Sequence, residues 1–185
     1  IDTGESEHAF RLIQAVHRGS IRLVKVIVVT GGIASGKSTV VQMLAEMGGE
    51  GVELFDCDHA VAELQKSGRL SRDLVAAFGA DALDAQGAVN KDYLRSIVQN
   101  DAAGRHRLEE ITHPKLAQMC LSAQAEARRR NDVHTFLVDI PLYYESPVEF
   151  GADKVCVVAA SATTQIARMA KRNGFSQEEA EAMMA

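Results

Sequence analysis

The sequence predicts an α/β fold, in which a parallel β-sheet lies between two layers of helices. Three observations predict it. The 185 residues suffice for one domain with a sizeable core. Short, apolar, β-branched runs alternate with segments of helical periodicity. A glycine-rich turn also joins the first predicted strand to the first predicted helix, which is typical of strand–loop–helix units.

The first predicted strand and helix enclose a phosphate-loop motif. Residues 25–29 form a short apolar run, and residues 31–38 (GGIASGKS) match the pattern G-x-x-x-x-G-K-[ST]. Apolar residues from Val40 to Met47 then recur at helical spacing. A chance glycine-rich turn would lack the strand before the motif and the helix after it. The motif therefore refines the prediction to a P-loop NTPase with a three-layer α/β/α architecture.

The residue types of the motif suit a nucleoside triphosphate. Glycines let backbone N–H groups approach phosphate oxygens, and the positive end of the following helix dipole attracts them. In this motif the lysine, here Lys37, reaches the β- and γ-phosphates, and the hydroxyl of Ser38 is a ligand for Mg²⁺. We therefore expect a nucleoside triphosphate and Mg²⁺ as cofactors.

Carboxylates follow the second predicted strand, residues 52–55. Asp56 and Asp58 lie at its carboxyl end, where ligands bind in open α/β sheets. One of them could accept a proton from a substrate hydroxyl, or could simply cap the next helix, and the spacing leaves both open. The two anions beside Cys57 disfavour its thiolate, so we expect no nucleophilic role for it.

Residues 70–130 have mostly helical patterns. This block is too long to be a simple crossover between the second and third strands, so we expect it to form an inserted substrate-binding lobe. We expect one of its helices to break at His113-Pro114 and a new helix to begin there. Residues 128–130, three arginines, predict a solvated helix end.

A third strand, residues 135–138, precedes Asp139 in the manner of a Walker B segment, whose aspartate holds Mg²⁺ directly or through water. A fourth strand covers residues 154–158, and a helix starts at Ser161 or Thr163. Arg168 and Arg172 share a face of that helix, either as surface residues or as a lid over the transferred group. Residues 176–179 (SQEE) predict a capping box for the last helix.

Composition excludes several classes of protein. The net charge of −5 gives no basic field for nucleic acid. The cysteines are odd in number and far apart, which suits a reduced, cytoplasmic protein. No apolar run is long enough to span a membrane. We expect a monomer or weak homo-oligomer.

Residues 1–23 read as a leader with a short helix capped by Ser6, and the chain reads as a fragment cut at both ends.

Five segments in order resemble one family, the dephospho-CoA kinases. Residues 30–39 (TGGIASGKST) resemble its phosphate loop, with Ala34 in place of a usual glycine. Residues 55–58 (FDCD) and 108–114 (LEEITHP) are similar to its D-x-D strand end and its L-E-x-I-x-H-P segment. Residues 139–145 (DIPLYYE) resemble D-x-P-L-L-F-E, and residues 165–172 resemble the Q-x-x-R-x-x-x-R start of its lid.

The resemblance implies a nucleotide-kinase fold over residues 24–185, with a helical acceptor-binding insertion at 70–130 and the start of a lid at 162–185. It implies transfer of the ATP γ-phosphoryl group to the ribose 3′-hydroxyl of dephospho-CoA, the last step of coenzyme A biosynthesis. Asp58, Lys37 and Arg168 would be catalytic, with Asp58 as general base. His113, Pro114 and Leu142 would join Asp58 in binding the acceptor, and Ser38 and Asp139 would hold the metal. ATP would be bound by Gly32, Ile33, Ala34, Ser35, Gly36, Lys37, Ser38, Thr39 and Arg172.

Two departures from the family pattern stand out. Lys115 follows His113-Pro114 where the family often has an arginine, and lysine lacks the bidentate fork that grips phosphate. A further strand and C-terminal helix of the family are absent, so we expect this piece to have an open sheet edge and an incomplete lid. Two other functions stay open: a different P-loop small-molecule or nucleoside kinase, and a regulatory GTPase switch, for which residues 90–93 (NKDY) come near a guanine-reading motif.

Overall fold

A computed structural model describes residues 23–141, 143–145 and 150–184 of the chain. The predicted leader helix near Ser6 lies outside these residues, as does Leu142. Within the described part, no helix combines the length and the apolarity that crossing a lipid bilayer requires.

The described residues form a four-stranded, fully parallel sheet in the order β2-β3-β1-β4. Its strands are β1 (Lys25–Thr30), β2 (Val52–Asp56), β3 (Thr135–Asp139) and β4 (Lys154–Val157). The register pairs Asp56 with Asp139. Two carboxylates therefore stand side by side at the carboxyl edge of the sheet, and the phosphate loop leaves the same edge after β1.

Helices cover both faces of the sheet, as the sequence predicts. Alternate residues of the central strands point to opposite faces, because side chains alternate along a strand. Val26, Val28 and Phe136 are fully buried on one face, against the helical block that follows β2. On the other face, Val29 and Leu137 pack with Val41 of α1 (Lys37–Gly48).

The helical block contains α2 (Cys57–Lys66), α3 (Ser71–Phe78), α4 (Lys91–Asn100) and α5 (Ala102–Ala127). Single 3-10 turns lie at Gly49–Gly51, Ala80–Ala82 and Tyr143–Glu145. At the end of α5, the exposed Arg130 guanidinium pairs with Glu53 (2.9 Å) and Asp132 (2.6 Å).

The expected helix break at His113-Pro114 is wrong. α5 runs unbroken for 26 residues with Pro114 inside it. Proline removes one backbone hydrogen bond and crowds the preceding turn, so a helix tolerates it only when packing compensates. Here Leu116, Cys120, Gln124 and Ala127 form a buried face that anchors the helix beyond the proline. Tertiary packing thus overrides the local preference.

The last two described helices are α6 (Ala162–Asn173) and α7 (Gln177–Met184). Ser161 caps α6, and its Oγ accepts a hydrogen bond from the Thr164 N–H (3.2 Å). Before α7, the Ser176 Oγ accepts from the Glu179 N–H (3.2 Å), while the Glu179 carboxylate accepts from the Ser176 N–H (2.8 Å). This reciprocal pair is the predicted capping box.

Candidate active site

The phosphate loop turns tightly between β1 and α1. The Ser35 N–H donates to the Gly32 carbonyl (3.2 Å), and Gly36 adopts a left-handed φ of 99° just before α1. A Cβ on Gly31 would lie 2.4 Å from the Val158 carbonyl oxygen. Because that oxygen belongs to the backbone, no side-chain movement could relieve the clash. Glycine is therefore required sterically at Gly31 and conformationally at Gly36.

Ala34 also has a positive φ, of 54°, and is the one described non-glycine residue with such a backbone. It stands where the family resemblance expects a glycine. Alanine reaches this region only at an energetic cost, because its Cβ crowds the following carbonyl oxygen. The loop therefore keeps its shape in spite of this residue.

The loop and the start of α1 line a cleft of about 940 Å³. The residues that line it come from the loop, from α2, from the turn after β3 and from α6. They are Gly31, Gly32, Ile33, Ala34, Ser35, Gly36, Lys37, Ser38, Thr39, Val40, Asp58, Pro141, Arg168, Met169, Lys171, Arg172 and Asn173. A cleft with four basic side chains beside a helix N-terminus suits a polyphosphate.

Asp56 and Asp58 have different roles in the structure. The Asp56 carboxylate caps α2 by accepting a hydrogen bond from the His59 N–H (2.9 Å). Asp58 lies within the first turn of α2 and lines the cleft shared with the phosphate loop. The helix cap that the sequence left open thus applies to Asp56, whereas Asp58 lines the cleft.

Lys37 and Asp139 form an ion pair between the phosphate loop and the end of β3. Their side chains are only 13% and 12% exposed, so water screens the pair weakly. Any anion that binds in the loop must share or displace this partner of Lys37.

Cys57 lies near the carboxylates of Asp56, Asp58 and Asp139. Burial raises the pKa of its thiol far above the ordinary value, and the nearby charges of Cys120, Asp139 and Asp58 raise it further. A protonated, buried thiol is a poor nucleophile.

The oxygen donors at this edge fit Mg²⁺. The Ser38 hydroxyl lines the cleft, and Asp139 contacts its neighbour Lys37. Within the described residues, no group of three or more His, Cys, Asp or Glu side chains could by itself hold a metal ion. Mg²⁺ commonly binds through one or two protein oxygens together with substrate phosphates and water. The donor set therefore suits a metal that arrives with a nucleotide.

Two side chains of α6 contact the phosphate loop directly. The Gln165 Nε2 donates to the Ile33 carbonyl (2.7 Å). The Arg168 Nη1 donates to the carbonyls of Ala34 (3.0 Å) and Ser35 (2.7 Å). Arg172 lines the cleft one turn further along. The predicted arginine pair thus lies at the loop.

Of the predicted acceptor residues that the structure describes, Asp58 lines this cleft, whereas His113 and Pro114 do not. His113 is half-buried in α5, and its Nδ1 is buried without a hydrogen-bond partner among the described residues. His113 is seven residues before Cys120, on the α5 face that packs toward the sheet. Pro114 is exposed, and the neighbouring Lys115 forms an ion pair with Asp73 of α3 (2.6 Å). Their role in binding an acceptor stays a prediction.

Outside the phosphate-loop motif, the sequence prediction missed five residues that line the cleft: Val40, Pro141, Met169, Lys171 and Asn173. Helical spacing could have indicated Lys171, because it lies three residues after Arg168 on the same face of α6. No local signal marks Met169, which reads as an ordinary core residue and is 2% exposed.

Comparison with known protein sequences identifies the family of this chain. The sequence model of the dephospho-CoA kinase family matches residues 25–185. A dephospho-CoA kinase of Geobacillus kaustophilus is 41% identical over 154 residues, which are 83% of this chain and 75% of that protein. One of Bacillus cereus is 37% identical over 158 residues, which are 85% of this chain and 77% of that protein.

Solved structures agree with the sequence comparison. A crystal structure from Thermus thermophilus covers 88% of this chain and 79% of its own, with a TM-score of 0.70 and 25% identity. A dephospho-CoA kinase from Campylobacter jejuni covers 86% of this chain and 78% of its own, with a TM-score of 0.55 and 25% identity. The fold is thus that of P-loop NTPases, and the sequence matches show that the chain belongs to the dephospho-CoA kinase family.

Proposed function

We propose that this protein transfers the γ-phosphoryl group of ATP to the ribose 3′-hydroxyl of dephospho-CoA, giving CoA and ADP. The proposal rests on the placement of Asp58, which lines the same cleft as the phosphate loop. The neighbouring Asp56 instead caps α2. A carboxylate in the same cleft as a phosphate loop suits phosphoryl transfer to an alcohol. Family membership supports dephospho-CoA as that alcohol.

The transfer step uses three parts of the site. The acceptor O–H bond breaks, and its proton passes to the Asp58 carboxylate. The acceptor oxygen bonds to the γ-phosphorus, and the bond from that phosphorus to the β–γ bridging oxygen breaks, which releases ADP. Lys37 and Arg168 supply positive charge for the phosphate oxygens, with Arg172 beside them.

Mg²⁺ bound with ATP would neutralise charge on the β- and γ-phosphates, and Ser38 and Asp139 would hold it. Lys37 would then turn from Asp139 toward the phosphates, because both Asp139 and the phosphates attract the same ammonium group. The free cysteines Cys57, Cys120 and Cys156 suit a reducing compartment, and we propose the cytoplasm.

A regulatory GTPase switch is disfavoured by the position of residues 90–93. The Asn90 side chain caps α4 by accepting from the Tyr93 N–H (3.1 Å), and its Nδ2 donates to the Asp81 carbonyl (3.1 Å). Neither Asn90 nor Asp92 lines the cleft. Titration of the protein with ATP and with GTP tests this reading, and a clear preference for GTP would contradict it.

The acceptor is tested by measuring ADP release with ATP, Mg²⁺ and a panel of alcohols. We expect release to depend on dephospho-CoA and to remain near background with nucleosides or pantetheine. If dephospho-CoA does not increase ADP release while another alcohol does, the protein is a different small-molecule kinase.

The role of Asp58 is tested by Asp58→Asn. Loss of the general base should lower kcat by about 10²- to 10⁴-fold, while the Kd for ATP stays close to that of the wild type. Asp56→Asn is the matched control, since asparagine caps a helix as well as aspartate does, and it should leave kcat nearly unchanged. Equal losses of kcat and of ATP affinity in Asp58→Asn would assign Asp58 to binding or folding.

A further inference from the structure

We propose that Gln165 is a positioning residue for the phosphate loop. Together with Arg168 it would hold three successive loop carbonyls, so that the loop amides stay oriented for an anion. The inference rests on the proposed function, because it concerns how the loop binds ATP. It gives Gln165 a role at the loop alone, whereas Arg168 and Arg172 are also proposed above to supply charge for the phosphates.

The loop carbonyls of residues 33–35 all accept hydrogen bonds from α6. Gln165 Nε2 lies 2.7 Å from the Ile33 oxygen. Arg168 Nη1 lies 3.0 Å from the Ala34 oxygen and 2.7 Å from the Ser35 oxygen. One helical turn thus supplies a donor to each of three consecutive peptide groups.

Holding a carbonyl also fixes the next amide. In a trans peptide the C=O and the following N–H point in opposite directions. When Gln165 holds the Ile33 carbonyl, the Ala34 N–H must point away from α6. When Arg168 holds the Ser35 carbonyl, the Gly36 N–H must do the same. Amides with a shared orientation form an anion-binding concavity.

Gly36 makes room for Arg168. A Cβ on Gly36 would lie 3.2 Å from Arg168 Nη1, closer than an ordinary contact, whereas one on Gly32 would lie at an ordinary contact distance of 3.5 Å from Gln165 Nε2. The close approach of α6 to the loop therefore depends on glycine at position 36.

The loop needs such support at Ala34. Its φ of 54° is costly for alanine, so an unsupported loop would tend to relax toward negative φ. The hydrogen bonds at Ile33 and at Ala34 itself flank this residue on both of its peptide groups. They oppose the relaxation where it would begin.

α6 is fixed well enough to act as a support. Ser161 caps its start (3.2 Å to the Thr164 N–H), and Gly174 ends it with a left-handed φ of 72°. Met169 is 2% exposed and anchors the helix between the two cleft-facing arginines. The position of Gln165 is thus set by α6 and not by the loop.

The test compares Gln165→Ala, Gln165→Glu and the control Gln42→Ala. Gln42 lies on the exposed face of α1, where its Nε2 donates to Glu46 (2.8 Å). Gln165→Ala should raise the Kd for ATP by about five- to tenfold, the factor carried by one ordinary hydrogen bond. The KM for dephospho-CoA and the Kd of Gln42→Ala should stay unchanged. In the nucleotide-free protein, the amide NMR signals of Ala34 and Gly36 should shift in both Gln165 variants and not in Gln42→Ala.

Gln165→Glu adds a pH signature. An ionised carboxylate has no N–H and repels the Ile33 carbonyl, whereas a protonated carboxyl can donate to it. The ratio of the variant Kd to the wild-type Kd should therefore fall as the pH is lowered from 8 toward 5 for Gln165→Glu, and should stay flat for Gln165→Ala.

The outcomes separate the two proposals. If the wild type does not bind ATP, the proposed function fails. If the wild type binds ATP while both variants bind it equally well with unshifted loop amides, the role of Gln165 is wrong. A lowered melting temperature with a pH-independent Kd ratio in both variants would show that Gln165 only stabilises the fold, and this too overturns the inference.

Discussion

Asp56 and Asp58 are separated by a single cysteine, yet of the two only Asp58 lines the cleft of the phosphate loop. Asp56 has extended backbone angles (φ −91°, ψ 113°) and is the last residue of β2, so its carboxylate folds back over the start of α2. Asp58 is already helical, and its side chain projects into the cleft. The transition from strand to helix at Cys57 thus decides which of the two carboxylates reaches the cleft. Sequence spacing alone could not distinguish the two.

Ala34 leads to a prediction about stability. Glycine reaches a φ of 54° without steric cost, so Ala34→Gly should raise the free energy of unfolding by about 1 kcal/mol and the Tm by roughly 2–4 °C. Thermal unfolding followed by circular dichroism measures the shift.

The control for this prediction is Ala76→Gly. Ala76 is exposed within α3 and has ordinary helical angles, so glycine there should lower the free energy of unfolding by up to about 1 kcal/mol. A decrease of similar size at both positions would mean that Ala34 is not strained.

At the scale of elements, α5 shows how packing overrides a local signal. Its proline predicts an interruption, and the helix continues because four buried side chains follow at helical spacing. The same helix carries Lys115, whose ammonium pairs with Asp73 of α3 (2.6 Å). A lysine in that ion pair serves the packing of the helical block, so phosphate binding by Lys115 would require the pair to open.

Replacing the proline should stabilise α5. Pro114 is exposed and lacks the N–H that would donate to the Glu110 carbonyl, so Pro114→Ala restores one helical hydrogen bond and removes a clash. We expect the free energy of unfolding to rise by about 1–3 kcal/mol, measured by urea unfolding with an unchanged m-value.

Pro141→Ala is a suitable control, because Pro141 lies outside the helices and its loss mainly frees the unfolded chain. It should be neutral or slightly destabilising. If Pro114→Ala lowers stability instead, the packing of α5 depends on a bend at the proline.

At the scale of the molecule, local patterns predicted the layers but not their arrangement. The β-branched runs predicted strands, and the motif at residues 31–38 predicted the loop. The order β2-β3-β1-β4 depends on pairings such as Val28 with Val138, which no local pattern encodes. The contact of Gln165 with Ile33 spans 132 positions and was equally hidden.

Ion pairs predict how the stability of the molecule depends on pH. The hydrogen bond from Lys115, and then its charge, hold the pKa of Asp73 below its ordinary value of 3.8. A carboxyl with a lowered pKa stabilises the folded state above that value, and the contribution disappears as the pH falls through the lowered pKa. Wild-type stability should therefore exceed that of Lys115→Met at pH 6, and the difference should vanish in strong acid.

Urea unfolding between pH 6 and strong acid measures this difference. The control is Lys91→Met, a change at an exposed lysine for which no ion pair is seen within the described residues. The difference in the free energy of unfolding between Lys91→Met and the wild type should stay the same as the pH falls below the ordinary pKa of Asp73. A difference for Lys115→Met that persists in strong acid would show that Lys115 acts through packing of its methylene chain.

The pairing of β1 has a consequence for synthesis on the ribosome. β1 and its loop are translated early, but both neighbours of β1, β3 and β4, follow only at Thr135–Asp139 and Lys154–Val157. Gln165 and Arg168 come later still. A nascent chain would therefore carry the motif long before it could recognise a nucleotide. Val26 and Val28, which are fully buried in the folded protein, would stay exposed in the nascent chain until β3 and β4 are made, and exposed apolar strands favour aggregation.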